Sequence, residues 1–181
     1  MPPATASCQL LIAKALSISV KFGRVKPGAL KNFQSEETEL MSEVVVTSLR
    51  KLQNEVLYGD NQTLLIDEPA GAGGDGTGPD PYTLLLSALG GCISMTVTLY
   101  ARRKGWPLER VQVHLRIQRV HAKDCVECER SMEGFAHRIE RHVTVEGDLT
   151  DEQRARLQEI AHKCPVHKML TSEIVISEMK D

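Results

Sequence analysis

The sequence predicts an α+β fold, and two observations lead to this class. The first is the order of its elements: three strands, a long helix, two strands, two shorter helices and a final strand. This order lacks the regular strand–helix alternation of a doubly wound parallel sheet. The second is the long helix itself, which is apolar on most of its faces and must therefore be covered by other elements. Covering both of its sides is easiest in a dimer.

Composition narrows the possible partners and compartments. The 181 residues are 41% hydrophobic and 25% charged, which is ordinary for a globular protein. The net charge of -2 and the 4% aromatic content argue against a nucleic-acid partner. No apolar run reaches the roughly 18–20 residues of a membrane span, so we expect no membrane partner. The five cysteines, an odd number, favour a reducing compartment such as the cytoplasm over a secreted disulfide framework.

Residues 1–40 are expected to lie outside the folded domain, which we place at 41–181. The first 35 residues contain five basic residues and no acidic one. A basic, acid-poor leader is typical of an organelle transit peptide, which would be an alternative to a cytoplasmic location. A disordered tail or an upstream extension of the reading frame also fits. Met41 opens a segment with a clear strand pattern, so the domain is predicted to start there.

Short strands are predicted at residues 43–49, 55–59 and 63–68, where apolar residues cluster between turn signals. The Gly-Asp-Asn sequence at 59–61 predicts the turn between the second and third strands. Residues 69–81 contain five glycines and three prolines, which predicts a loop. The loop has neither of the glycine patterns that bind nucleotide phosphates, so we interpret it as a flexible approach to the long helix.

The long helix is predicted over residues 81–104, and both of its ends carry the expected signals. Asp80 is a good N-cap, and Pro81 is favoured at the first helical position. The three basic residues at 102–104 complement the negative end of the helix dipole. Gly105 suits the position just beyond the last helical residue, where a left-handed conformation commonly ends a helix.

The second half of the chain continues with strands and capped helices. Residues 110–120 alternate strictly between apolar and polar side chains, which indicates a half-buried strand. Residues 134–147 show the same alternation more weakly. Thr150, with a glutamine three residues later, forms a capping box at the start of a helix. Cys164 precedes a proline and is the predicted N-cap of a short helix. Residues 173–179 read as a closing strand.

Two cysteines are candidates for chemistry on helices. Cys164 lies at a helix N-terminus, where unpaired N–H groups and the dipole lower the pKa of a thiol, although a packed capping cysteine is an equally good interpretation. Cys92 lies far from the ends of its helix and, taken alone, reads as a buried structural cysteine. Gly90 and Gly91 precede it and predict a point where a second helix or subunit approaches closely.

Cys125 and Cys128 form a CxxC pair between two predicted strands. One such pair supplies two of the four ligands that zinc needs. It could also be a dithiol site, although redox motifs of this kind normally open a helix after a strand. An ordinary pair of loop cysteines is the third interpretation. Additional ligands could come from five other residues: His121, His137, His142, Cys164 and His167.

Two sequence blocks resemble the OsmC/Ohr family of thiol peroxidases and redox proteins. They are GPDPYTLLLSALGGCISMTVTLYARRKGWPL and GDLTDEQRARLQEIAHKCPVHKML, and the resemblance extends over roughly residues 44–178. It implies an intertwined homodimer in which curved antiparallel sheets wrap around two long central helices. It also implies a two-cysteine cycle that reduces organic hydroperoxides, uses a dithiol reductant and needs no bound cofactor.

The resemblance further implies roles for individual residues. Cys92 matches the peroxidatic cysteine, and Cys164 matches the resolving cysteine. Arg50 falls near the place of an early-loop arginine that activates the thiolate. Family peroxidases carry a glutamate near the start of the helix, but the corresponding residues here are Tyr82 and Thr83. The redox pair is therefore better supported than peroxidase activity, and a thiol redox or ligand-binding protein without efficient peroxidase activity is the alternative.

Overall fold

The computed structural model describes residues 42–121 and 134–179. Two units divide the chain, Met1–Met41 and Ser42–Asp181, and every described residue lies in the second. Helices and antiparallel strands mix in this unit, which confirms the predicted α+β class. In chain order the elements are β1 (Val44–Ser48), β2 (Asn54–Tyr58), β3 (Gln62–Ile66), α1 (Pro81–Lys104), β4 (Leu108–His121), β5 (Phe135–Gly147), α2 (Asp151–Ala161) and α3 (Pro165–Leu170).

The three predicted strands are present, and β1, β2 and β3 form an antiparallel sheet in that order. Gly59 and Asn61 adopt positive φ angles of 51° and 66° in the turn between β2 and β3. Glycine and asparagine tolerate this left-handed conformation better than other residues, which explains why the turn falls there. Val44, Val45 and Val46 of β1 are all exposed, so the other described residues leave apolar surface on this strand uncovered.

The glycine-rich segment after β3 is ordered by one buried carboxylate. Asp67 is 1% exposed and accepts hydrogen bonds from the backbone N–H groups of Glu68, Asp75 and Thr77, and from the Thr77 hydroxyl. The Thr77 backbone bond is the largest of the interactions that lower the pKa of Asp67. The predicted loop is confirmed, and it includes a short 3₁₀ turn at Ala70–Ala72. It is fixed by a carboxylate, so its description as a flexible approach was wrong.

Helix α1 begins and ends where the capping signals predicted. The Asp80 carboxylate accepts from the backbone N–H groups of Tyr82 at 2.9 Å and Thr83 at 3.1 Å. Gly105 ends the helix in the left-handed conformation, with φ at 66°. By length and composition the helix could cross a membrane, a property it shares with the core helices of soluble proteins. It contacts β4, α2 and α3, and 22% of its most apolar window is buried.

Helix α1 is buried on one side only within the described residues. Within this chain it buries a single stripe of side chains, spaced four residues apart: Leu89, Ile93, Val97 and Ala101. Met95 and Leu99 lie on another side and are 65% and 51% exposed. Among the described residues β4, α2 and α3 cover this one side of the helix. The expectation that a second copy of the chain covers the other side stays a prediction.

Strands β4 and β5 form a long antiparallel hairpin that packs against α1. Both strand predictions are confirmed. Most of the odd-numbered apolar side chains join the core around α1, namely Val111, Val113, Leu115, Ile139, Val143 and Val145, whereas Phe135 is 55% exposed. The pairing shifts by one residue at the start of β4, opposite Gly147. Gly147 has a φ of 140°, and a Cβ built on it would lie 2.1 Å from the Pro107 carbonyl oxygen. Only glycine fits this close approach between the two backbones.

Helices α2 and α3 close the core. The predicted capping box is present at the start of α2, with reciprocal hydrogen bonds between Thr150 and Gln153. Arg154 fastens α2 to β5 by donating to the Val145 and Gly147 carbonyl oxygens, each at 2.8 Å. Cys164 is the N-cap of α3, also as predicted.

The predicted closing strand is absent from the described residues. Residues 173–179 have no regular secondary structure, and Ile176 is 94% exposed. The apolar residues of this segment have the composition of a strand, but a strand requires a neighbour to accept and donate its backbone hydrogen bonds. Within the described part of this chain, no strand pairs with the segment.

Candidate active site

The structure brings Cys92 and Cys164 together at the junction of α1 and α3. Cys164 is 0% exposed and belongs to the main core cluster, while Cys92 is half-buried and packs against the same cluster. Both are free thiols, and interaction with the Cys92 side chain is one of the causes that raise the pKa of Cys164, so the two thiols are neighbours. Cys92 is the more accessible of the pair.

The environment of Cys164 differs from the one the sequence predicted. The backbone N–H of His167 donates to its sulfur at 3.3 Å, as expected at a helix N-terminus, and this bond lowers the pKa. Burial and the hydrogen bond to Cys92 have the larger effects, and both raise the pKa of Cys164. The expectation of a lowered pKa was therefore wrong, and Cys164 is protonated at neutral pH.

Gly90 marks a close approach beside Cys92, as predicted, but the approaching group is a different one. A Cβ built on Gly90 would lie 3.1 Å from the Cδ1 atom of Leu115 in β4. A strand of the same chain therefore comes close here, where the sequence suggested a second helix or subunit. At Gly91 the nearest atom is the Met95 methyl group at 3.7 Å, which is ordinary contact.

Arg141 is a charged residue near the thiols that sequence reasoning missed. It occupies an odd-numbered position of β5, between the core residues Ile139 and Val143. Its Nη1 atom donates to the Ala161 carbonyl oxygen at 3.0 Å. Burial lowers the pKa of Arg141, and electrostatic interaction with Cys164 raises it. The signal was present in the sequence, because Arg141 and His137 are the two polar residues that interrupt the apolar alternation at the odd-numbered positions of residues 135–145.

His167 also belongs to this neighbourhood. Burial lowers its pKa most, and the positive charges of Arg141 and His162 lower it further. Its ring packs edge to face with that of His162, with the ring centres 6.3 Å apart. Because its pKa lies below the ordinary histidine value, His167 is neutral at physiological pH.

Arg50, the predicted activating residue, lies in the turn between β1 and β2. Its side chain is 69% exposed, and its Nη2 atom is 3.7 Å from a carboxylate oxygen of Asp75 in the glycine-rich loop. Lys51 pairs with the same carboxylate. Within one chain, Arg50 is thus directed toward this loop, and its role at the thiols stays a prediction.

The start of α1 has no carboxylate in the position of the family glutamate. The first turn of the helix, which is fully described, contains no acidic residue. Tyr82 is exposed and stacks on His137 at 6.4 Å between ring centres. The Thr83 hydroxyl donates to the capping carboxylate of Asp80. Both residues therefore have structural partners of their own.

Cys125 and Cys128 lie outside the described residues, so the predicted zinc or dithiol site at the CxxC stays a prediction. Among residues 42–121 and 134–179, no group of three or more metal-ligating side chains converges. His121, one of the predicted additional ligands, packs against the Phe135 ring at 5.3 Å. His142 faces His114 across the β4–β5 ladder.

These features define an α+β protein with a paired-thiol site built on its central helix. The sequence profile described as OsmC-like protein matches residues 74–179, which is more than half of the chain and includes both cysteines. The chain therefore belongs to the OsmC-like family, which confirms the resemblance seen in its sequence. No curated protein sequence gives a significant match.

Solved structures share this fold at low sequence identity. An organic hydroperoxide resistance protein of Legionella pneumophila is 18% identical with a TM-score of 0.53, and the match covers 74% of this chain and 92% of that one. OhrB of Bacillus subtilis, also an organic hydroperoxide resistance protein, is 18% identical with a TM-score of 0.51, and the match covers 73% of this chain and 91% of that one. An OsmC-like protein of unknown function from Vibrio cholerae is 13% identical with a TM-score of 0.57, and the match covers 75% of this chain and 96% of that one.

Proposed function

We propose that this protein reduces organic hydroperoxides through a two-cysteine cycle at Cys92 and Cys164. The observation that carries the proposal is the contact between a half-buried thiol and a fully buried one in the protein core. Membership of the OsmC-like family and the organic hydroperoxide resistance proteins among the similar structures support a redox or peroxidase role.

Cys92 is the attacking thiol in this proposal, because it is the accessible member of the pair. Its thiolate attacks the terminal oxygen of the hydroperoxide, so that an S–O bond forms and the O–O bond breaks. The sulfur is oxidised to a sulfenic acid, and the leaving alkoxide takes a proton to become the alcohol. Attack by a thiolate on one oxygen of a peroxide requires no metal or organic cofactor.

Cys164 completes the cycle as the resolving thiol. Its sulfur attacks the Cys92 sulfenic acid, the S–S bond forms, and hydroxide leaves with the Cys164 proton as water. The N–H of His167 is placed to stabilise negative charge that develops on the Cys164 sulfur. A dithiol reductant then breaks the disulfide and restores both thiols.

Peroxide titration followed by mass mapping of disulfides tests this proposal. One equivalent of tert-butyl hydroperoxide is expected to convert the reduced protein to a form containing a Cys92–Cys164 disulfide. The Cys125→Ser/Cys128→Ser double variant is the matched control and should form the same bond. A Cys125–Cys128 disulfide in the wild type, or no disulfide at all, would contradict the proposed cycle.

A second function is favoured by the absence of an acidic residue from the first turn of α1. With Tyr82 and Thr83 in that turn, the pair would exchange disulfides or sense oxidants without efficient peroxidase activity. The rate of the same titration distinguishes the two functions. Oxidation no faster than that of a cysteine in a short peptide would favour thiol exchange, and much faster oxidation would favour the peroxidase.

We also propose that the protein is a homodimer. Large apolar surfaces on β1, on one side of α1 and in residues 173–179 remain exposed in the single chain. Apolar surface of this extent marks an interaction site, and a second copy supplies unpaired strands for the closing segment.

Sedimentation is expected to give twice the 20.1 kDa of one chain. Val45→Lys, which places a charge on the exposed apolar face of β1, should shift the protein toward monomer. Asp60→Lys in the turn between β2 and β3 introduces a lysine away from that face, with an even larger change in net charge, and should leave the dimer intact. A wild-type protein that sediments as a monomer at micromolar concentration would exclude the dimer.

A further inference from the structure

We infer that Arg141 is a positioning residue for the thiol pair: its guanidinium fixes the segment that carries Cys164 and favours the thiolate form of the pair. The inference deepens the proposed function, since it names a residue that prepares the same site for reaction. The argument depends on where β5 holds this side chain and on what its guanidinium contacts.

The backbone of Arg141 is held beside the part of α1 that carries Cys92. In the β4–β5 ladder Arg141 is the partner of Leu115. Leu115 is the residue whose side chain approaches Gly90, two positions before Cys92. The strand pair thus reaches α1 at the level of the attacking thiol, and Arg141 lies at that level on the neighbouring strand.

The guanidinium of Arg141 is fixed at the end of α2. The Ala161 carbonyl that accepts from it, at 3.0 Å, belongs to the last residue of that helix, and Ala161 is fully buried. Carbonyl groups at a helix C-terminus lack intrahelical partners and carry partial negative charge, so a cation there is favourable. The short connection from Ala161 leads directly to Cys164, so this bond also holds the resolving cysteine in place.

Several elements contribute titratable groups to the neighbourhood of the thiols. Of the two thiols, Cys92 lies in α1 and Cys164 at the start of α3. The groups around them are His167 from α3, His162 from the connection between α2 and α3, and Arg141 from β5. The pKa of His167 is lowered by burial and then by Arg141 and His162, so this ring is neutral at physiological pH. Arg141 keeps its full charge, because an arginine remains protonated in proteins. It is therefore a permanent cation at a site where a thiolate must form.

A permanent cation near a buried acid stabilises the charged form of that acid. An opposite charge within a few ångströms typically lowers the pKa of an acid by about 1–3 units. At the thiol pair, this effect opposes the burial and the hydrogen bond that raise the pKa of Cys164. Removing the cation should therefore raise the apparent pKa of the pair, with no need for a peroxide to reveal it.

The test is a pH titration of thiolate ultraviolet absorbance in the full chain. The background carries Cys8→Ser, Cys125→Ser and Cys128→Ser, so that only Cys92 and Cys164 titrate. Arg141→Met is expected to raise the lower apparent pKa of the pair by about one unit. Arg141→Lys retains a cation and should recover about half of this shift or more. The rate of alkylation by iodoacetamide at neutral pH should fall in parallel, by up to about tenfold.

Arg154→Met is the matched control. Arg154, in α2, also donates to backbone carbonyl groups, but these carbonyls belong to Val145 and Gly147 at the C-terminal end of β5. It should lower the melting temperature and leave the thiol pKa unchanged. If Arg141→Met also lowers the melting temperature without changing the thiol pKa, Arg141 is a structural residue and the inference is overturned. Should Arg141→Met fail to fold, Arg141→Gln provides the answer, since its amide keeps a donor but has no charge: a wild-type pKa in that variant also overturns the inference.

The result is independent of the proposed peroxidase activity. A thiol pair whose pKa depends on Arg141 but which does not react with hydroperoxide would contradict the proposed function and leave the role of Arg141 intact. A thiol pair that reacts with hydroperoxide but keeps the same pKa in Arg141→Met would support the proposed function and overturn the role of Arg141.

Discussion

Replacing Cys92 with serine is expected to abolish the turnover of tert-butyl hydroperoxide, with a loss of at least about a thousandfold. A serine hydroxyl is not ionised at neutral pH and cannot form a sulfenic acid, so the first step of the proposed cycle has no substitute. The measurement is peroxide consumption with a dithiol such as dithiothreitol in excess. Equal, slow consumption by the wild type and Cys92→Ser would exclude a peroxidase that uses this thiol.

Cys164→Ser provides the matched contrast, because it removes a thiol from the same site without touching the attacking one. This variant should consume one equivalent of peroxide and stop at the Cys92 sulfenic acid, which dimedone traps for detection by mass spectrometry. Any remaining turnover then measures direct reduction of the sulfenic acid by the dithiol. If Cys164→Ser were inert toward peroxide while Cys92→Ser reacted, the roles of the two cysteines would be exchanged.

Gly147→Ala is expected to be the most destabilising of the conservative substitutions considered for this chain, lowering the free energy of unfolding by about 3 kcal/mol or more. Two effects combine. The φ of 140° is strained for any residue with a Cβ, and the added methyl group would meet the Pro107 carbonyl oxygen at 2.1 Å. Because Gly147 is the last residue of β5 and Pro107 directly precedes β4, relief requires separation of the two backbones where β5 leads into α2.

Two other glycines separate these effects in chemical denaturation experiments. Gly105→Ala keeps a positive φ of 66° but meets nothing within 4 Å, so it should cost about 1 kcal/mol. Gly71→Ala has neither a positive φ nor a close contact, and should be nearly neutral. A loss at Gly147→Ala no greater than that at Gly105→Ala would show that the strands yield easily and that the close backbone approach is unimportant.

The boundaries of the helices could be predicted because their causes are local. Asp80 caps α1 by bonds to residues two and three positions ahead, and Thr150 caps α2 in the same way. Gly105 ends α1 because of its own backbone freedom. Such interactions are fully contained in short segments of sequence, so the pattern of residue types is enough to place them.

The properties of the thiols could not be predicted in this way, because they depend on residues distant in the chain. Cys164 has the local features of an activated thiol, yet burial by α1 and the rest of the core raises its pKa. The proximity of Cys92 followed only from the family resemblance. Arg141 was overlooked because an arginine on an apolar strand face is interpreted as a defect in the pattern until its partner, the end of α2, is known.

The exposed apolar surfaces show another limit of prediction from the sequence. Residues 173–179 have the composition of a strand, and α1 has the composition of a buried helix, but the described residues provide neither the strand partner nor the second cover. Composition reports what a segment requires and does not say which molecule supplies it. The proposed second copy of the chain would meet both requirements.

The contact between Gly90 and Leu115 links two positions in the evolution of this protein. With leucine at 115, a Cβ at 90 would lie 3.1 Å from a methyl group, so even an alanine requires the Leu115 side chain to move slightly. A smaller side chain at 115 would make room for a larger one at 90, and either change alone would disturb the helix next to Cys92. The two sites are therefore expected to accept substitutions as a compensating pair, so each limits the mutational paths open to the other.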